Sequence, residues 1–296
     1  MTGRRMTVAA QCMTVDRCTA EVVDALRARA IEPLLLKGPA TARWLYSEEE
    51  VGSRPYSDTD LLVAPDDWHR TRHTLESLGF ECAVPITLKA PLAKRRHAEN
   101  WCRAADDAMV DLHASVYCTE HLDPQRVWTV LSRSPERITV AGTEACIPSE
   151  PVRALHIALH LRPHEGPGAQ AWRDLERAID QIAGGVWVQA ADAARELDIE
   201  GEFGTALARL TAGRRLAEQL EIPTDSPEVL EPLRWQAEDS VARRLVRSVF
   251  PSPTYVRMGW PMARRGPVLL AAAYVWRLLI VPWRPVLWWR TRRASR

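Results

Sequence analysis

The sequence predicts an α+β protein: a mixed, partly antiparallel sheet with flanking helices, followed by a mainly helical half. Three observations carry this. Up to about residue 148, short apolar runs alternate with turn residues and single amphipathic helices. From Ser149 onward the apolar residues recur at steps of three and four. Two of the short runs, "DTDLLVA" and "AMVDLHASVY", carry carboxylates within otherwise apolar, strand-like surroundings.

Taken in order, Val15, Cys18, Val22, Leu26 and Ala30 form the stripe of an amphipathic helix over 15–30. The run "IEPLLL" is short, apolar and bounded by Lys37-Gly38-Pro39, which predicts a buried strand at about 33–36, a turn, and a helix with Pro39 at its favoured first position. "DTDLLVA" predicts a second strand, "PDDWHRTRHTLESLG" a helix closed by Gly79, "FECAVPI" a third strand and "AMVDLHASVY" a fourth. "RITVAGTEACIP" predicts a hairpin around Ala141-Gly142-Thr143. Ser149 is the candidate cap of the first helix of the second half, with further helical patterns at 171–184, 187–197, 202–220 and 227–248. This divides the chain into residues 1–148, a helical domain over 149–250, and a basic, Trp-rich segment over 251–296.

The 296 residues, 46% hydrophobic, suffice for one large or two modest domains with their own cores. The net charge of +1 conceals a segregation, because residues 240–296 hold twelve arginines and no Asp, Glu or Lys. The remainder is therefore acidic, which argues against a long nucleic-acid footprint. The six cysteines include no Cys-x-x-Cys pair, and the first residues lack the continuous apolar core of a signal peptide. The expectation is free thiols in a cytoplasmic protein, without a structural zinc.

Asp58 and Asp60 are two residues apart, so on a strand they project to one side. Two ionised carboxylates that close repel, and a divalent cation such as Mg²⁺ or Mn²⁺ relieves the conflict while also engaging substrate phosphates. Asp111, in "VDLHA", is the candidate third carboxylate from a neighbouring strand. At the Lys37-Gly38 turn a residue without Cβ admits a phosphate near the backbone, and Lys37 and Arg54 add positive charge.

These stretches resemble a known family. "LLLKGPATARWLY", then "RPYSDTDLLV" and "VDLHASVY", are similar to the nucleotidyltransferase superfamily with the DNA polymerase β-type core, and within it to the branch of uncharacterised nucleotidyltransferases. The abortive-infection type toxin nucleotidyltransferases share a similar layout. The motifs cover about residues 31–116; the helical half, with "LHIALH" and "WRDLERAID", is similar less specifically. The resemblance implies a nucleotidyltransferase-like sheet and a metal-dependent transfer of a nucleoside monophosphate from an NTP such as ATP. It implies metal-binding and catalytic roles for Asp58, Asp60 and Asp111, with Lys37, Gly38, Arg54 and Ser57 on the phosphates. One departure is Gly38-Pro39, where the wider superfamily has Gly-Gly or Gly-Ser, so one backbone N–H donor is missing.

His113 would share a face with Asp111 and either touch the nucleotide or be satisfied by the backbone. His156 and His160 are read as packing or interface residues, Arg173 and Asp174 as a pair on a helix surface, and "KRRHAENW" as a solvated charged face. The tail from Arg264 has two readings. Its default is a final core helix on the helical domain; the alternative is an interfacial segment on an anionic membrane, since its uncharged stretches are too short for a span. The acceptor is unassigned among a small molecule, peptide, protein or tRNA. The rival to an enzyme is a catalytically silent module that binds a peptide, protein or membrane.

Overall fold

The computed structural model describes residues 2–47, 50, 54–84, 97–161, 166–226, 256, 262 and 266–280. Seven strands form one mixed sheet: β1 Leu34–Leu35, β2 Thr59–Leu62, β3 Glu81–Val84, β4 Ala98–Arg103, β5 Ala108–His113, β6 Glu136–Val140 and β7 Thr143–Ile147. Their order is β3-β4-β5-β2-β1-β7-β6. Most neighbours are antiparallel, but β2 runs parallel to β5 and β1 parallel to β7. The mixed sheet is as expected.

The helices are α1 Thr2–Arg27, α2 Pro39–Leu45, α3 Trp68–Ser77, α4 Pro124–Leu131, α5 Glu150–Leu159, α6 Gln170–Gln181, α7 Gly184–Glu196, α8 Glu200–Leu207, α9 Thr211–Gln219 and α10 Pro267–Ile280. α1 begins well before the predicted Val15 and ends at Arg27 rather than Ala30. The N-terminal extension is anchored because Cys12 and Val15 pack with Ala42 and Tyr56. The end is set by Ala30, whose φ of 56° leaves the helical region.

Alternation along the strands sorts the core into two layers. Leu35, Leu61, Val110 and Leu112 share a cluster with Val22, Val23 and Leu26 of α1 and Trp68 and Leu75 of α3. Leu34, Leu36, Leu62 and Cys146 face the other way and join Leu155, Leu175, Trp187 and Phe203 of the helical half. The face that buries Leu62 also carries Asp60, two residues earlier. The helical half therefore covers the sheet face that bears the acidic residues.

Three sequence readings differ from the structure. Residues 98–103, within and beyond the stretch taken as a charged face, form the interior strand β4, between β3 and β5, in which Ala98 and Trp101 are buried and so is Glu99. The polar Glu99 and Asn100 masked its strand pattern, and Lys94 to Arg96 lie outside the described residues. α4 was not predicted, although its Asp123-Pro124 start is a recognisable cap: the Asp123 carboxylate accepts a hydrogen bond from the Gln125 N–H at 3.1 Å. The single helix expected at 202–220 is two, α8 and α9. The pattern at 227–248 lies outside the described residues.

Candidate active site

The parallel pairing of β2 with β5 sets Asp60 directly beside Asp111. Asp58 lies one residue before β2, half-buried at the same end. Asp60 is 3% exposed, and one of its oxygens, Oδ1, takes both the Lys37 ammonium at 2.7 Å and His113 Nε2 at 3.0 Å. The other ring nitrogen of His113 faces the Ser115 carbonyl at 3.3 Å. Both nitrogens thus face acceptors, which makes the imidazole a donor to Asp60. Asp111 is held by β4: Asn100, its register partner, donates from Nδ2 to Oδ1 at 2.5 Å.

The electrostatics separate the carboxylates. Burial first, then the neighbouring Asp60 and Asp111, push the Asp58 carboxyl up to about 6. Burial would push Asp60 up as well, but Lys37 and His113 outweigh it and hold the carboxyl far below the usual range. Among the described residues, Asp60, Asp111 and His113 place candidate ligand atoms within 4.8 Å of one another. Asp58, beside this cluster, has its ionisation opposed first by burial and then by the two neighbouring carboxylates. Among the described residues the side chains close enough to share one hard cation are thus Asp60, Asp111 and His113, with Asp58 beside them.

The Lys37-Gly38 turn adjoins this cluster. Gly38 has φ 59° and ψ −113°, a conformation that L residues rarely adopt, and a side chain there would point toward the Asp58 carbonyl and the Tyr56 ring. Arg54, expected on phosphates, is buried and paired with Asp174 of α6: Nη2 donates at 2.7 Å and Nε at 3.1 Å. Asp174, expected on a helix surface, is itself buried and also accepts from the Tyr46 hydroxyl at 2.6 Å and the Gln170 amide at 2.8 Å. Ser57 is exposed.

A small cleft of about 20 Å³, room for a water molecule, lies between the turn and the helical half. Lys37, Trp44, Arg54, Arg153, His156 and Asp174 line it. His156 is buried, and burial followed by the nearby Lys37 pushes its imidazole down to about 3, so the ring is neutral near pH 7. On the far side of His113, the His97 ring stands 5.6 Å away and pairs with Glu120 at 3.1 Å. The structure thus gathers Asp58, Asp60, Asp111, Lys37, Gly38 and His113, and ties Arg54 to the helical half. Asn100 and His97 are additions, both from the stretch read as a charged face, while His156 and Asp174, read as a packing residue and a helix-surface residue, line the cleft beside the site.

A solved structure described as an antigenic nucleotidyltransferase-like protein from Paracoccidioides brasiliensis is similar at 19% identity and a TM-score of 0.42, over 74% of this chain and 96% of that one. No curated protein matches. The profile of a family described as uncharacterised nucleotidyltransferase matches residues 1–211, which include every strand and the paired carboxylates. The chain belongs to that nucleotidyltransferase family.

Proposed function

We propose that the chain transfers a nucleoside monophosphate from an NTP to an acceptor hydroxyl or phosphate, with release of pyrophosphate. The observation that carries this reading is the register of Asp60 against Asp111, with Asp58 beside them and its carboxyl pushed up by burial and then by both neighbours. A Mg²⁺ or Mn²⁺ ion held by Asp58, Asp60 and Asp111 would supply positive charge at the α-phosphate. Lys37 neutralises Asp60 in the protein alone and is near enough to turn to phosphate oxygens when Asp60 is otherwise engaged. Gly38 lets the turn adopt its positive φ beside the carboxylates, and exposed Ser57 adds a hydroxyl. His113 and Asn100 fix Asp60 and Asp111, which orients the carboxylate that accepts the acceptor's proton; we assign that role to Asp111.

One observation favours the silent-module alternative: Lys37 and Arg54 are both already paired with carboxylates of the protein. Labelled nucleoside triphosphates, each offered with Mg²⁺ or Mn²⁺ and a cell extract as the acceptor pool, separate the two. Metal-dependent transfer of label that Asp111→Asn abolishes supports the enzyme. Nucleotide binding without transfer under every condition supports the alternative.

A further inference from the structure

The last described helix, α10, is built differently from the rest of the helical half. Its buried contacts form their own small cluster, in which Ala273 meets Val256 with Leu270 and Tyr274 packed against them. None of these residues belongs to the cluster that joins the sheet to the helices. Among the described residues, the buried contacts of α10 are thus separate from that core.

The opposite side of α10 is apolar and exposed. Val268 is 78% exposed, Val275 57% and Trp276 48%, and Ala271 and Ala272 are exposed between them. At about 100° per residue these five positions cover an arc of roughly 140°, the width of the stripe with which an amphipathic helix meets an apolar phase. Along α10 that stripe is Val, Ala, Ala, Val, Trp, without a charge.

What covers it is indicated by charge. Residues 240–296 carry twelve arginines and no Asp, Glu or Lys. Such a segment favours an anionic partner, and a uniformly positive segment opposes pairing with its own copy. Among the described residues no helix is long and apolar enough to cross a membrane, so the apolar stripe has the reach to lie in an interface and not to span it. We propose that α10 is a peripheral docking helix for an anionic lipid surface, with the valines and Trp276 entering the headgroup boundary and the arginine-rich sequence to which the helix belongs supplying attraction to acidic headgroups.

The test is flotation of the full chain with vesicles of phosphatidylcholine alone and of phosphatidylcholine mixed with phosphatidylglycerol. The chain should float with the mixed vesicles only, and added salt should release it. Val268→Glu with Val275→Glu should weaken binding by about tenfold or more, with an unchanged thermal melt because both side chains are already in water. A Val268→Ser, Val275→Ser variant gives the same comparison without new charge. Equal flotation with both vesicle types, no flotation with either, or binding that neither variant changes would overturn the proposal. So would a dimer in solution that these variants convert to monomer, since a second copy would then cover the stripe.

Discussion

Arg54 and Asp174, 120 residues apart in sequence, meet in a buried two-point ion pair that ties the segment leading into β2 to helix α6. The same guanidinium points Nη1 at the Gly38 carbonyl, 3.4 Å away. The position of the helical half and the geometry of the Lys37-Gly38 turn therefore share one side chain. Removing one partner of such a pair leaves an uncompensated buried charge, at a cost of about 3–5 kcal/mol. Asp174→Ala should lower the melting temperature by on the order of 10 °C, and Asp174→Asn by less, because an amide oxygen can still accept from Tyr46. A double-mutant cycle with Arg54→Met in thermal melts checks the coupling: additive losses would mean that the pair is energetically silent.

The two acidic residues of the Asp-Thr-Asp triplet should respond oppositely to neutralisation in metal-free protein. Asp58→Asn removes a carboxylate whose ionisation is opposed by burial and by its neighbours, so stability at pH 8 should rise by up to about 3 kcal/mol. Asp60→Asn leaves Lys37 and His113 without their shared anion, so stability should fall. Both variants should lose nucleotidyl transfer. Chemical denaturation in chelator, paired with a transfer assay, reads both effects.

The same asymmetry fixes a pH dependence. Asp58, raised to about 6, opposes folding once it is ionised, so its destabilisation is full above that value and is relieved as pH falls through it. Asp60, held low, stabilises the fold above the ordinary carboxylate range of about 4, and that contribution is lost only on further acidification. Metal-free melts should therefore show stability rising from pH 7 toward pH 5, a rise that Asp58→Asn abolishes. Mn²⁺ affinity should run the other way, weakening by up to about tenfold per unit below pH 6 as a proton competes for Asp58. A flat affinity between pH 5 and 8 would remove Asp58 from the metal site.

Gly38 offers a backbone test. An added Cβ would meet the Asp58 carbonyl at 3.5 Å and the Tyr56 ring at 3.6 Å, ordinary contact distances, so the cost of Gly38→Ala comes from the backbone conformation. That strain is about 1–3 kcal/mol. The variant should remain folded but destabilised, and its KM for the NTP should rise because relaxation of the turn moves Lys37 away from Asp60. Unchanged stability would mean that the positive φ is not required.

The fold and the cluster were legible to different depths. Asp58 and Asp60 could be paired from sequence because strand alternation is local: two residues apart means one face. Asp111 in "VDLHA" was expected on a strand neighbouring "DTDLLV" from its apolar, strand-like flanks, and the parallel register sets those two strands side by side. Asn100 was not legible, because its role rests on which residue of β4 falls opposite Asp111, and the polar Glu99-Asn100 pair hid the strand itself. Asp174 was read as a surface residue because a lone carboxylate on a helix is usually solvated; its burial depends on an arginine from a distant loop. The two-helix break near Ala208 was missed because the apolar period continues across it.

The two-residue strand β1 also has a consequence for how the sheet forms. It lies between β2 and β7, and it alone joins the four strands β3, β4, β5 and β2 to the hairpin β6–β7. Its parallel contact, Leu34 against Cys146, closes a loop of more than a hundred residues, whereas the hairpin closes across a tight turn. Chain entropy therefore places the hairpin early and the seam late in folding. With so few backbone bonds across it, the seam is also the natural line for sub-global opening. Amide hydrogens of Leu34 and Leu35 should exchange with solvent sooner than those at the centre of β5, although all are equally out of reach of water in the closed protein.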